Sequence, residues 1–80
     1  MHITFRQLKL FLAVVDHASV SAAAKAMHIT QPTASMQLKE ISQSVGLPLY
    51  EVIGKKIFFT DTGLELAHTA RQMMQAWELF

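Results

Sequence analysis

The residues best suited to chemistry fall between Ser19 and Lys39. The run Thr30-Gln31-Pro32-Thr33-Ala34-Ser35-Met36 gathers hydroxyls and an amide at the start of a helix-like pattern, with Lys39 one turn further on. These are groups for recognition rather than for bond breaking. A glutamine amide can pair with a base edge, and serine or threonine can bond bases or phosphates. A helix starting here would add unpaired backbone N–H groups that attract phosphate. Further along, Lys55 and Lys56 stand in the turn Ile53-Gly54-Lys55-Lys56, where they suit phosphate or minor-groove contact in preference to the plainer reading of a solvated turn. An ordinary helical hairpin with a solvated polar face has the same spacing, and spacing alone leaves the two readings level.

Catalysis has little to stand on. His2, His17, His28 and His68 show no metal-ligand spacing, and the acidic and serine residues are scattered rather than paired. There is no glycine-rich phosphate loop and no nucleophile elbow. The absence of cysteine excludes disulfides, thiolate metal sites and a cysteine nucleophile, and is compatible with the cytoplasm. The longest apolar run, Leu10 to Val15, is far too short to span a membrane, and the first residues lack a signal-peptide layout.

Eighty residues, 51% of them hydrophobic and 16% charged, make one domain with a small core and too little charge for disorder. The net charge of +1 argues weakly for a nucleic-acid partner. Its distribution argues better. Arg6, Lys9, Lys25, Lys39, Lys55 and Lys56 face only Asp16, Glu40 and Glu51 in residues 1–60, whereas residues 61–80 are net acidic.

The elements that must position these groups read as follows. Thr4 can cap a helix running to about His17, with Phe5, Leu8, Phe11, Leu12 and Val15 as its core face. Arg6 lies off that face, as a phosphate contact or a solvated charge. Ser19 caps a short alanine-rich helix, Val20 to Met27. The chain breaks at His28 to Gln31, and a second helix begins near Pro32 and runs to about Val45. Thr30 or Gln31 is its cap, and Gln31, preceding proline, is disfavoured in the α conformation. Ala34, Leu38, Ile41 and Val45 form the buried face. Ala23, Ala24 and Ala34 allow close helix crossing, and Ile29 plugs the turn. Gly46 ends the helix, and Pro48 blocks its continuation. Leu49 to Val52 and Ile57 to Thr60 are two strands, with Ile57 and Phe59 inward and Phe58 outward. Thr60 caps a last helix from Asp61 onward, whose Leu66, Ala70, Met73, Trp77 and Phe80 form a heptad seam that predicts dimerisation, although a seam of barely two heptads also allows the whole helix to pack on its own domain. Leu64, Ala67 and Met74 make a second apolar line that can return to the core.

Ordered words along this frame resemble a known family. Arg6-Gln7-Leu8 with Phe11 and Val15, then Ser21-Ala22-Ala23-Ala24, Thr30-Gln31-Pro32-Thr33-Ala34-Ser35, Val45-Gly46-Leu47-Pro48-Leu49-Tyr50 and Thr60-Asp61-Thr62-Gly63 are similar to the N-terminal domain of LysR-type transcriptional regulators. The match runs from residue 3 to residue 66 without a gap. Ser35-Met36-Gln37-Leu38-Lys39, Gly46-Leu47-Pro48-Leu49-Tyr50-Glu51 and Gly54-Lys55-Lys56-Ile57 further resemble the branch that activates RuBisCO and other carbon-fixation operons.

The resemblance implies a mainly α fold, a winged helix-turn-helix with a short β-hairpin wing and a long C-terminal linker helix. Residues 1–60 would be the DNA-binding domain and 61–80 the dimerisation helix of a longer regulator. It implies DNA contacts from Ser21, Thr30, Gln31, Pro32, Thr33, Ser35, Met36, Lys39, Lys55 and Lys56. It implies double-stranded DNA as partner, a homodimer, a tetramer for the full-length parent and a cytoplasmic setting. No cofactor or metal belongs to this part; a small effector would bind a C-terminal domain of the parent. This sequence departs from the family where glutamate and arginine usually stand, at Ser42 and Val52. A neutral contact should replace their ion pair. Met36 also stands where arginine is frequent; it can meet a thymine methyl but cannot bond guanine. The rival is a small helical protein-interaction module gripping its partner through Phe58 and Trp77.

Overall fold

Four hydroxyl side chains set where the helices begin. The computed structural model describes residues 2–80. Thr4 accepts from the Gln7 backbone N–H at 3.0 Å, and the Gln7 side chain accepts from the Thr4 N–H in return, so helix α1 (Phe5–His17) starts in a reciprocal cap. Ser19 accepts from Ala22 at the head of α2 (Val20–Ala26). Thr30 accepts from Thr33 at the head of α3 (Gln31–Val45), and Thr60 from Gly63 at the head of α4 (Asp61–Leu79). Each bond satisfies one of the N–H groups that a helix start leaves unpaired.

The choice between Thr30 and Gln31 is thereby decided for Thr30. Gln31 is the first helical residue even though proline follows it, so the expected extended conformation there gives way. The Thr30 hydroxyl is an acceptor that the longer Gln31 amide, one position later, does not replace.

Helix α1 packs against α2, α3 and α4. That explains two departures from the expected core face. Leu10 and Val14, outside the proposed stripe, are fully buried because α1 is covered around much of its circumference. Phe5, assigned to the core, is 41% exposed at the helix start, and Val15 is only half-buried. Ala23, Ala24 and Ala34 are buried at the α2–α3 crossing, where larger side chains would hold the helices apart. Ile29 packs against the same core. Two side-chain bonds also tie the outer half of α3 to the N-terminal segment. Gln7 Nε2 donates to Glu40 Oε2 at 3.2 Å, and the Ser44 hydroxyl to the His2 carbonyl at 3.1 Å.

Four of the described residues turn the chain through the left-handed region. Gly46, at φ 79°, ends α3 and Gly54, at φ 65°, lies in the hairpin turn, while Ala18 at φ 52° after α1 and His28 at φ 58° after α2 adopt it with a β-carbon in place.

Beyond Gly46 the chain forms an antiparallel hairpin, β1 (Tyr50–Ile53) and β2 (Lys56–Phe59), paired Tyr50↔Phe59, Glu51↔Phe58, Val52↔Ile57 and Ile53↔Lys56. The strands are shifted one residue from the expected bounds, because the turn is only Gly54-Lys55 and Ile53 and Lys56 join the ladder. Ile57 and Phe59 face the core as expected, and Phe59 meets Phe11 edge-on at 5.8 Å between ring centres. Phe58 points outward. Burial pushes the Tyr50 phenol above its ordinary range, since charge is disfavoured away from water.

The wing is fastened to α4 through backbone. The Thr60 N–H donates to the Leu49 carbonyl, and its hydroxyl donates to the Pro48 carbonyl at 2.7 Å. A β-carbon on Gly63 would run into the Leu49 backbone carbonyl. Glycine is needed there because α4 and the wing root touch main chain to main chain.

Helix α4 contributes Gly63, Ala67 and Ala70 to the buried interior, with Leu66 and Met74 packed at its edge. Leu64, expected on the line returning to the core, is 51% exposed instead. Small residues bring the helix axis close to α1, and Leu64 lies on the far side. The Asp16 carboxylate accepts from the Arg71 guanidinium at 2.8 and 3.4 Å, which holds that carboxyl below its ordinary range.

Candidate nucleic-acid interface

The cap at Thr30 fixes what the N-terminus of α3 can offer. The Thr30 hydroxyl accepts from the Thr33 N–H at 3.3 Å and donates to the Thr33 hydroxyl at 2.8 Å. Thr30 thus builds the helix end rather than reaching away from it. Gln31, Pro32, Met36 and Lys39 are exposed, and Thr33 and Ser35 are half-buried.

These residues divide into two groups. Gln31 and Ser35 line a groove together with Ser21 from α2 and with Lys55 and Lys56 at the wing tip. Ala18, Ser19, Val20, Val52 and Ile57 complete its walls. Pro32, Met36 and Lys39 lie on the outward stripe of α3 and do not line the groove. Among the ten expected contact residues, five therefore meet at one cleft, and the others flank it or cap it.

The groove joins three elements that the fold holds in register. The alanine crossing sets α2 against α3. Gly46 and the Leu49 backbone bonds turn the hairpin back, so that its two lysines face the heads of both helices. Hydroxyl and amide groups line one side and ammonium groups the other. That combination suits a polyanion with hydrogen-bonding edges. Pro32 has no N–H, and the N–H groups of Thr33 and Ala34 bond the Thr30 hydroxyl and carbonyl, so in the first turn of α3 only the Gln31 N–H, with the helix dipole, adds partial positive charge at the same end.

Val52, where a charged partner for α3 was lacking in the sequence, is 60% exposed at the groove wall. The Ser42 side chain makes no hydrogen bond to the wing among the described residues. Sequence reasoning passed over two groups. Ser19 lines the groove although its hydroxyl is engaged as a cap. Gln43 is exposed one turn beyond Lys39, and its spacing of seven from Met36 would have revealed it.

The residues expected to serve dimerisation do not all stay free. Ala70 is buried and Leu66 packs on the domain's own core, because α4 lies along α1. Met73, Trp77 and Phe80 remain exposed, Trp77 by 66%. Trp77 meets the Phe5 ring edge-on at 6.3 Å and stacks on Phe80 at 6.0 Å, while Lys9 Nζ lies 5.9 Å from the Phe5 ring centre. Phe5 thus belongs to this surface cluster.

Among the described residues no three His, Asp or Glu side chains gather as a metal site, and no helix is long and apolar enough to cross a membrane.

Comparison with known proteins agrees with this geometry. Residues 5–64 match the model of the bacterial regulatory helix-turn-helix protein, lysR family. The chain is 40% identical over 76 residues to a RuBisCO operon transcriptional regulator of Allochromatium vinosum, covering 95% of this chain and 25% of the relative. It is 39% identical over 79 residues to the regulator of the same description from Acidithiobacillus ferrooxidans, covering 99% of this chain and 26% of that one. The chain therefore spans about a quarter of the length of these curated relatives. Among solved structures, the CbnR DNA-binding domain in complex with DNA superposes with a TM-score of 0.89 at 32% identity, covering 95% of this chain and 87% of that one. The BenM DNA-binding domain bound to benA site 1 DNA gives 0.90 at 26% identity, over 96% and 86%.

Proposed function

This chain belongs to the lysR family of bacterial regulatory helix-turn-helix proteins, and from that membership we propose how its surface meets DNA. It is a DNA-binding domain of a transcriptional regulator, not an enzyme. Helix α3 enters the major groove with its N-terminal end. Gln31, Pro32, Thr33, Ser35, Met36 and Lys39 stand nearest the bases. Ser21, Lys55 and Lys56 hold the flanking backbone, and Thr30 sets the helix end that makes the approach. The observation that carries this reading is the shared groove of Ser21, Gln31, Ser35, Lys55 and Lys56.

Two copies joined through α4 place two reading helices on the half-sites of an interrupted palindrome. Residues 1–60 form the reader, and residues 61–80 link it to the rest of a longer regulator. That parent forms tetramers, works in the cytoplasm and binds a small effector in a further domain. The likeness to two RuBisCO operon regulators supports a carbon-fixation operon as its target.

Titration with selected duplex DNA across several salt concentrations tests the assignment. Log affinity should fall linearly with log salt, as counterions are released. Gln31→Ala should reduce the preference between sequences, while Lys55→Ala should weaken all sequences alike and lower the salt slope by about one. If both variants bind every sequence like wild type, the assigned surface is wrong.

A further inference from the structure

Helix α3 shows solvent one large apolar side chain, Met36, which is 55% exposed. A lone exposed apolar residue is ordinary on a protein surface. Its position is what sets this one apart. At about 100° per residue, Pro32, Met36, Lys39 and Gln43 share a stripe opposite the buried Ala34, Leu38 and Ile41, and all four are exposed. Met36 sits inside that stripe, with Pro32 one turn before it and Lys39 and Gln43 after it. It belongs neither to the core nor to the half-buried residues packed on the core, so the fold makes no use of it.

The chemistry of the side chain limits what it can recognise. A thioether donates no hydrogen bond and accepts only weakly, but it is unbranched, polarizable and able to follow a shape. In the major groove the apolar group that a base edge offers is the C5-methyl of thymine. A guanine there offers only acceptors, N7 and O6, which the thioether would strip of water without pairing. Lys39 and Gln43 on the same stripe supply the polar contacts that Met36 lacks.

We propose that Met36 reads a thymine C5-methyl in each half-site and disfavours guanine at that position. The inference rests on the major-groove role of α3 given above and names the chemical feature of the site that α3 selects.

The test uses DNA sites selected from randomised duplexes by this chain. Each thymine is replaced singly by deoxyuridine, which removes only the methyl, and each cytosine singly by 5-methylcytosine. One thymine per half-site should lose about fourfold in affinity as uracil, the scale set by burying one methyl-sized group. Met36→Ala should bind the thymine and uracil forms of that site equally. Met36→Arg should move the preference toward guanine there. Unchanged melting of both variants identifies the effect as recognition rather than folding. Wild-type indifference to uracil at every thymine, with salt-dependent binding intact, overturns the Met36 assignment alone. A methyl effect that persists at the same position in Met36→Ala also overturns it. Absence of duplex binding at low salt overturns it together with the DNA-reading function.

Discussion

Helix α3 buries Ala34, Leu38 and Ile41 and leaves one large apolar side chain in solvent, whereas α4 buries Gly63, Ala67 and Ala70 and leaves Leu64, Met73, Trp77, Leu79 and Phe80 exposed. The two helices start alike, each capped by a threonine hydroxyl. They differ in what lies beside them. The α3 apolar face is covered by α1 and α2 from Ala34 to Ile41, with Val45 half-buried at its end. The α4 helix has no fully buried residue beyond Ala70; after it Arg71 bonds Asp16, Met74 packs at the edge of the core and Trp77 meets the Phe5 ring, but most of the later apolar side chains stay in solvent among the described residues. A polar exposed face can work against water or nucleic acid as it stands. An apolar one gains from being covered. On the function proposed above, the difference separates a reading surface, complete within one copy, from an association surface that needs a second.

The contrast would break most visibly at the root of α4. Gly63→Ala raises helix propensity, which alone would favour folding by up to about 1 kcal/mol. The clash with the Leu49 carbonyl should outweigh that gain and cost about 3 kcal/mol. Urea unfolding measures the balance, and an unchanged midpoint would mean that the first half of α4 is not locked to the wing. Trp77→Ala sharpens the other half. It should leave the monomer's α3 surface intact but weaken self-association by about 2 kcal/mol, the scale of an aromatic anchor. Sedimentation equilibrium reads this directly. Association unaffected by the change would remove Trp77 from the interface.

The smallest effect lies where the two halves of α4 meet. The Asp16 carboxyl is held below its ordinary range by Arg71, so the pair stabilises the fold above the unfolded carboxylate's pKa. That contribution is lost as pH falls through the lower folded value. The melting difference between wild type and Asp16→Asn should accordingly be small and constant near neutral pH and vanish in acid. Added salt should shrink it, since both groups are about half exposed.

Much of the fold was legible because local rules and the global arrangement agree. Ser19, Thr4 and Thr60 announced their helices, Gly46 ended α3, and the spacing of Ala34, Leu38 and Ile41 gave its buried face. What escaped was decided by neighbours rather than by period. Leu10 and Val14 are buried because α1 is flanked on several sides, which a single apolar stripe cannot express. Phe5 and Leu64 fit an apolar line but stand where no element covers them. The one-residue shift of the wing follows from a two-residue turn that two lysines and a glycine left undetermined. Five residues of the groove, Ser21, Gln31, Ser35, Lys55 and Lys56, could be named from the resemblance, while Ser19 in its wall could not. That Ser21 and Ser35 face Lys55 and Lys56 across it depends on how the hairpin is fastened at Leu49, through backbone bonds that no side-chain pattern records.

The left-handed turn at His28 has an evolutionary consequence. A single nucleotide change converts either histidine codon to an asparagine codon, and asparagine, whose short amide can hydrogen-bond the local backbone, suits that conformation better than the histidine ring. His28 is exposed and lies outside the cleft. The hinge between the two helices can therefore be stiffened in one genetic step, without altering a side chain that reads sequence. Robustness and specificity can evolve here on separate residues.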